Sequence, residues 1–192
     1  YNPSFHKVIP NKKKFKPRDT LKILNIARFE DQKDQNTLLK AINISKAKKK
    51  IKLILVGYGS KLSEIKKYIN QNKINAEVII KPKNHTVYYE RANLFINSSI
   101  YEGLPTTMIE AASYCLPIIS SDFKSGSKEI LINGKGGYIF RIGDHKRLSQ
   151  IINLFYENPA SFYTKEKICR KNLDNFSIKK NINKFYKILD NL

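Results

Sequence analysis

The stretch LFINSSIYEGLPTTMIEAASYCLPIISS, residues 94–121, decides the fold class. Residues 94–97 form a short apolar run that predicts a buried strand, and residues 116–120 form a second one. A helix is predicted between them over residues 107–114, after a loop that contains Gly and Pro. Two buried strands joined by a helix indicate a βαβ unit, because parallel strands need such a crossover.

The same alternation extends to both sides of this unit. Strands are predicted at residues 21–26, 51–56, 76–80, 94–97, 116–120 and 137–140. Helices are predicted at residues 36–47, 62–69, 87–91, 107–114, 148–156, 159–172 and 178–192. With 192 residues, 41% of them hydrophobic, the chain can build one domain with a sizeable core. We expect a single α/β domain over residues 1–192, a Rossmann-like doubly wound parallel sheet with a lead-in over 1–18 and a helical C-terminal tail over 173–192.

The chain is strongly basic, with 36 Lys and Arg against 16 Asp and Glu and a net charge of +20. This charge favours nucleic acid, an anionic membrane surface or phosphorylated small molecules as partners, although lysines on solvated helix faces also account for such a composition. No apolar run is long enough for a membrane helix. Cys115 and Cys169 match no metal or redox spacing, which favours reduced thiols in a cytoplasmic protein.

Ligands of doubly wound sheets bind at the carboxyl ends of the strands. This rule selects three loops, residues 27–35, 57–61 and 98–107. Glu102 lies in the last loop, and Glu110 lies about two turns into the helix that follows. The free N–H groups from Leu104 to Thr107 open that helix and form an anion site that suits a phosphate. The simpler interpretation of either Glu is a carboxylate that suits the helix dipole.

Two cations, Arg28 and Lys33, lie just past the first predicted strand, at the same edge of the sheet. Together they can hold a diphosphate, with Arg as a planar fork and Lys as a point charge. The alternative is a pair of solvated charges on a loop. Gly57 and Gly59 permit close backbone approach after the second strand, but an isolated G-x-G is more often a tight turn than a cofactor loop.

Taken in order, a set of motifs resembles a known family. The motifs are ARFEDQK (27–33), VGYG (56–59), NSSIYEGLP (97–105), IEAA (109–112), LPIISSD (116–122) and SGSKEIL (125–131). They resemble the C-terminal, nucleotide-sugar-binding half of the GT-B retaining glycosyltransferases known as family 4, or group 1. Glu102 and Glu110 form the E-x7-E element that is the signature of the family. The resemblance covers nearly the whole chain.

The resemblance implies a role for each matching residue. Glu102, Arg28 and Lys33 are implied as catalytic, with Glu102 beside the anomeric carbon and the two cations on the donor diphosphate. Glu110 is implied to accept hydrogen bonds from the ribose hydroxyls, and Ile80 with Lys81 to flank the base. The implied donor-binding residues are Gly57, Gly59, Ile80, Lys81, Gly103, Leu104, Pro105, Thr106, Thr107 and Glu110. No metal and no cofactor are implied, because Arg and Lys take the place of a metal.

The sequence departs from the family pattern at Asp34 and Cys115, where many members have Gly. A larger difference is that the N-terminal, acceptor-binding domain of the family is absent from the chain. We therefore expect the isolated chain to bind nucleotide sugar weakly and to transfer little or nothing.

The stretch DFKSGSKE (122–129) is similar to a subgroup that builds bacterial lipopolysaccharide or capsule. This implies transfer of a hexosyl or N-acetylhexosaminyl group to a glycan or lipid-linked acceptor, with UDP favoured over GDP in the donor. The expected location is the cytoplasm, with peripheral contact to the inner face of the membrane and no nucleic acid as partner. Two alternatives stay open, a basic nucleic-acid-binding module and a nucleotide-sugar epimerase of the same fold.

Overall fold

The structure is a computed structural model that describes residues 8–9, 14–177, 180, 182–183 and 186. Its centre is one six-stranded sheet in the order β3-β2-β1-β4-β5-β6, and every strand pair is parallel. The strands are β1 (Leu21–Ile26), β2 (Ile51–Gly57), β3 (Ala76–Ile80), β4 (Leu94–Asn97), β5 (Ile118–Ser121) and β6 (Tyr138–Phe140). This confirms the predicted α/β class and the doubly wound parallel sheet.

Helices cover both faces of the sheet. They are α1 (Gln35–Asn43), α2 (Leu62–Gln71), α3 (Thr86–Arg91), α4 (Thr106–Ser113), α5 (Ser127–Ile130), α6 (His145–Glu157) and α7 (Ala160–Lys171). One core cluster joins the sheet to α1, α2 and α6, and a second joins it to α3, α4, α5 and α7. Buried β1 contributes to both, since Leu21 and Ile23 face the first cluster and Leu24 faces the second.

The strand order reverses between β1 and β4. Leu24 pairs with Phe95 of β4 on one side and with Ile54 of β2 on the other. The helices after β1 and β4 pack on opposite faces, so the two loops that leave these strands diverge and a crevice opens between them. The loops that contain Lys33 and Glu102 are these two loops.

Several element boundaries differ from the predictions, those of β5 and α1 among them. Strand β5 begins at Ile118 instead of residue 116, because the N–H of Leu116 donates to the carbonyl of Ala111 and closes the end of α4. Helix α1 ends at Asn43 instead of residue 47, and Ile44, which extended the apolar pattern, is half-exposed. The one-turn helix α5 was not predicted.

The two departures from the family pattern share one backbone feature. Asp34 has φ 43° and Cys115 has φ 55°, in the left-handed region that glycine occupies at the lowest cost. Asp34 offsets this cost, because its carboxylate caps α1 by accepting from the N–H and the hydroxyl of Thr37. A Gly in the family pattern thus corresponds to a conformational requirement that this chain meets with other residues.

The ends of the chain are described in part. In the lead-in, Ile9 donates its N–H to the carbonyl of Ser113 and accepts from the thiol of Cys115. At the other end, α7 runs into a 3-10 turn over Asn172–Phe176. Most of the predicted helix over 178–192 lies outside the described residues. Among those that are described, no helix has the length and apolar character to cross a membrane.

Candidate active site

A nearly buried ion pair lies at the switch point of the sheet. The Nζ atom of Lys33 donates to Oε1 of Glu102 over 2.6 Å, and the hydroxyl of Ser99 donates to the same oxygen over 2.7 Å. Lys33 follows β1 and Glu102 follows β4, so the pair spans the crevice. The structure thus brings together two of the three residues predicted to be catalytic.

Backbone contacts hold the two loops against each other. Ile100 donates its N–H to the carbonyl of Gln32, and the side-chain amide of Gln32 donates to the carbonyl of Tyr101. The hydroxyl of Ser98 donates to the carbonyl of Lys33. These bonds fix the position of Lys33 relative to Glu102 before any ligand binds.

The third residue predicted to be catalytic, Arg28, is exposed on the same loop as Lys33. Its backbone carbonyl accepts from the amide of the buried Gln35, which anchors the loop to α1. The exposed guanidinium of Arg28 forms no ion pair among the described residues. Two hydrogen bonds from Ser60 lower the pKa of Glu30, and the charge of Arg28 lowers that pKa further. Arg28 is thus a cation at the crevice that is open to an anionic ligand.

Close packing against the β1 loop requires glycine at residues 57 and 59. A Cβ atom on Gly57 would overlap the carbonyl oxygen of Ala27, and a Cβ atom on Gly59 would overlap that of Phe29. Both glycines let the β1 loop lie directly on the β2 loop, where Phe29 donates to Tyr58 and Lys61 donates to Phe29 through backbone groups. Their donor-binding role stays a prediction.

An aromatic and cationic corner lies at the carboxyl end of β3. Ile80 is half-exposed, and Lys81 has φ 44°. The Nζ atom of Lys81 lies 4.8 Å from the centre of the half-exposed Tyr58 ring. This corner offers apolar surface for a planar ring, and it adds Tyr58 to the candidate residues. The role of Ile80 and Lys81 beside the base stays a prediction.

The N-terminus of α4 faces the crevice with unpaired N–H groups. No acceptor for the N–H of Leu104, Thr106 or Thr107 is present among the described residues, and Pro105 caps the helix without a side-chain bond. Gly103 has open space around it, since a Cβ there would meet nothing within 4 Å. These free donors and the positive end of the helix dipole form an anion site beside Lys33 and Glu102.

The loop before α4, which contains Glu102, is held in place by the segment that follows β5. The hydroxyl of Ser125 donates to the carbonyl of Glu102 over 3.0 Å. Gly126, with φ 94°, brings its backbone so close that a Cβ would lie 2.6 Å from Pro105 Cδ. The residues 125–126 therefore hold the Glu102 loop, which explains why their motif accompanies the E-x7-E element.

Glu110, the second Glu of that element, is held by two side chains from α3 and the loop before it. The hydroxyl of the fully buried Tyr89 donates to Oε2 of Glu110 over 2.8 Å. The Nε2 atom of His85 lies 3.1 Å from the same oxygen. No donor to Oε1 of Glu110 is present in the described part of the chain.

Several polar residues of the site were not predicted, namely Gln32, Tyr58, His85, Tyr89, Ser98, Ser99 and Ser125. Ser99 and Gln32 lie within the family motifs that follow β4 and β1, so their positions in the sequence could have identified them as site residues. Tyr89 and His85 offered none, because they reach Glu110 only through the packing of α3 against α4.

Within the described ranges, the predicted site residues belong neither to a metal-binding cluster nor to the cavity between α1 and α2. No group of three or more His, Cys, Asp or Glu side chains that could hold a metal is present in the described ranges. A cavity of about 190 Å³ between α1 and α2 is lined by Glu30, Asp31, Lys61 and Tyr68 among others, and by none of the predicted site residues. The crevice between β1 and β4 is therefore the candidate active site.

Comparison with known proteins identifies relatives of this chain. A curated relative, the amylovoran biosynthesis glycosyltransferase AmsD of Erwinia amylovora, is 36% identical over 114 residues, which are 57% of this chain and 32% of the relative. The chain thus spans about a third of that relative's length.

Two solved structures share the fold. HepE of Anabaena in complex with UDP superposes with a TM-score of 0.81 at 17% identity, covering 91% of this chain and 49% of that one. The apo form of the lipopolysaccharide outer core galactosyltransferase WaaB superposes with a TM-score of 0.79 at 23% identity, covering 100% of this chain and 55% of that one.

The family model "Glycosyl transferases group 1" matches residues 9–187, nearly the full length. The six-stranded parallel sheet with helices on both faces is that of a C-terminal GT-B domain. The chain belongs to the group 1 glycosyltransferases.

Proposed function

We propose that this chain is the donor-binding half of a retaining glycosyltransferase. The protein would transfer a hexosyl or N-acetylhexosaminyl group from a nucleoside-diphosphate sugar to a glycan or lipid-linked acceptor. The observation that carries the proposal is the set of groups around one crevice: Lys33 paired with Glu102, the exposed Arg28, and the free N–H groups of α4.

The chemistry follows from these groups. In the transfer, the bond between the anomeric carbon and the diphosphate oxygen breaks, and the hydroxyl oxygen of the acceptor bonds to that carbon and passes its proton to the departing diphosphate. Negative charge develops on the departing nucleoside diphosphate, where Arg28, Lys33 and the N–H groups of Leu104, Thr106 and Thr107 stabilise it. Glu102 contacts the hydroxyls of the sugar. No step requires a metal ion, because the two cations and the helix N-terminus neutralise the diphosphate.

A UDP-sugar is the proposed donor, in preference to a GDP-sugar. The proposal is supported by the structural neighbour HepE, whose solved complex holds UDP. Surface polysaccharide biosynthesis is the proposed process, supported by the relatives AmsD, an amylovoran biosynthesis glycosyltransferase, and WaaB, a lipopolysaccharide outer core galactosyltransferase. Ile80, Lys81 and Tyr58 would contact the base.

The proposal treats this chain as one of two halves. Its sheet supplies one wall of a cleft, and an N-terminal acceptor domain would supply the other wall. Since the chain spans 32% of AmsD and 55% of WaaB, the relatives have room for such a second domain. The 192-residue chain alone is therefore expected to bind the donor and to transfer little sugar.

We also propose peripheral contact with the cytoplasmic face of a membrane. The loops at the amino edge of the sheet, residues 14–20, 44–50, 72–75, 92–93, 114–117 and 131–137, contain nine Lys and Arg against one Asp. The loops at the carboxyl edge contain seven against six. Most of the basic excess in these loops thus lies away from the donor site, where it suits an anionic surface. Co-sedimentation with phosphatidylglycerol vesicles and not with phosphatidylcholine vesicles would support this contact.

Calorimetry with UDP and GDP tests the proposed function. The chain is expected to bind UDP more tightly than GDP, and both Arg28→Ala and Glu110→Ala are expected to weaken that binding. Absence of binding to either nucleotide, or binding that survives both substitutions, would contradict the assignment. Steep salt-dependent binding to duplex DNA would then favour a nucleic-acid module.

A further inference from the structure

Glu110 presents its two carboxylate oxygens to different surroundings. Oε2 receives the hydroxyl of Tyr89 at 2.8 Å and lies 3.1 Å from Nε2 of His85. Oε1 has no donor among the described residues, and the side chain of Glu110 is 29% exposed. One oxygen is thus held by the protein, and the other is available to a ligand.

Buried ring contacts hold Tyr89 in the position from which its hydroxyl donates to Glu110. Its ring is fully buried, stacks on Tyr114 with centroids 5.3 Å apart, and lies 6.0 Å from the ring of Phe95. Its hydroxyl also lies 3.3 Å from the carbonyl of Thr107, but the bond to the carboxylate is shorter. The hydroxyl has one proton, and the charged acceptor at 2.8 Å forms the stronger bond.

The phenol keeps that proton over the working range of pH. Burial raises the pKa of Tyr89 well above its usual value, and the neighbouring Glu110 carboxylate raises that pKa further. Tyr89 is therefore a permanent donor, and the carboxylate of Glu110 cannot turn without losing a charge-assisted bond inside the core.

We propose that Tyr89 is a positioning residue that makes the site select ribonucleotides over deoxyribonucleotides, with His85 as a second support at the surface. By holding Oε2 of Glu110, these residues direct Oε1 toward the vicinal hydroxyls of the ribose. A carboxylate that is already oriented loses little side-chain entropy when the hydroxyls bind. The proposal rests on the proposed function, since it assumes that Glu110 meets a nucleoside diphosphate.

Calorimetry with UDP and with 2′-deoxy-UDP tests this proposal on three variants. Wild type is expected to bind UDP about tenfold more tightly than 2′-deoxy-UDP, because a hydrogen bond to a charged group is lost. Tyr89→Phe keeps the buried ring and removes only the hydroxyl. It is expected to weaken UDP binding about fivefold and to leave 2′-deoxy-UDP nearly unchanged, so the ratio falls toward one.

Two further variants complete the experiment. His85→Ala changes only an exposed side chain, so it tests the second support without altering the core, and a smaller fall of the same ratio is expected. Tyr114→Phe is the matched control, because it removes a hydroxyl from the stacked partner ring and should leave the ratio unchanged.

The outcomes separate this proposal from the proposed function. If wild type binds neither nucleotide, the proposed function and the role of Tyr89 fail together. If wild type prefers UDP and Tyr89→Phe keeps the full preference, or weakens both ligands equally, the site binds nucleotide but Tyr89 has only a structural role.

Discussion

The Nζ atom of Lys33 lies 2.6 Å from Oε1 of Glu102, and the two side chains keep only 13% and 12% of their surface exposed. Ser99 donates to the same carboxylate oxygen. The site therefore holds its cation and its carboxylate against each other before the donor arrives. Under the proposed function, a diphosphate that binds Lys33 would compete with Glu102 for the ammonium group and would leave Glu102 available to the sugar.

This pair predicts a stability effect. Lys33→Ala leaves a nearly buried carboxylate with Ser99 as its remaining donor, and we expect the free energy of unfolding to fall by about 1–3 kcal/mol. Glu102→Gln keeps an oxygen acceptor for Lys33 and Ser99 and is expected to cost less. Urea unfolding measures both. Lys61→Ala is the control, because its partners Asp31 and Glu64 are exposed and little change is expected. Equal stability of Lys33→Ala and wild type would show that the pair contributes nothing.

Arg28 predicts a ligand-dependent effect. Arg28→Ala removes a cation that forms no ion pair with any described residue, so the loss should appear only for a ligand with phosphates. We expect UDP affinity to fall about tenfold and uridine affinity to stay unchanged, as measured by calorimetry. Arg141→Ala, which removes an exposed cation from the loop after β6, should change neither. A uridine affinity that falls as far as that of UDP would place Arg28 elsewhere than on the phosphates.

Substitution by Ala is expected to destabilise the chain at Gly57 and to have little effect at Gly103. Gly57→Ala drives a methyl group into the carbonyl of Ala27, and backbone cannot move aside cheaply, so we expect a loss of about 2 kcal/mol or more. Gly103→Ala meets no atom within 4 Å, and a change within about 0.5 kcal/mol is expected. Thermal unfolding compares the two. If Gly57→Ala is as stable as wild type, the β1 loop is not held against the β2 loop as the structure has it.

The strands were predictable because the sheet is parallel and covered on both faces. Such strands are continuous apolar runs, and β1, β3 and β4 begin and end where the patterns placed them. At β5 the pattern failed at Leu116, an apolar residue whose N–H belongs to the end of α4. Apolar character alone cannot tell a strand from a helix cap.

The site was predictable where its residues are close in sequence to the ends of strands. Arg28, Lys33 and Glu102 follow β1 and β4, so the topology alone brings their loops together. Tyr89 was not predictable in this way, because its contact with Glu110 joins residues 21 positions apart across two helices. Only the packing of α3 on α4 reveals it.

Two glutamates predict pH effects of opposite sign. Burial raises the pKa of Glu166, and the nearby charges of Arg170 and Lys167 only partly oppose this. The Nε atom of Arg170 lies 3.3 Å from Oε1 of Glu166 without hydrogen-bond geometry, so that oxygen has no donor within the described part of the chain. In contrast, hydrogen bonds from Lys52 and Arg91 lower the pKa of Glu77.

The raised pKa of Glu166 means that its contribution to stability is full below the unfolded pKa and is lost as the pH rises through the folded pKa. The contribution of Glu77 is present above its unfolded pKa and is lost as the pH falls through its lowered folded pKa. At pH 7, Glu166→Gln is therefore expected to stabilise the chain and Glu77→Gln to destabilise it. Both differences from wild type should shrink when urea unfolding is repeated near pH 4, and a Glu166→Gln chain that is less stable than wild type at pH 7 would show that Arg170 compensates the buried charge in full.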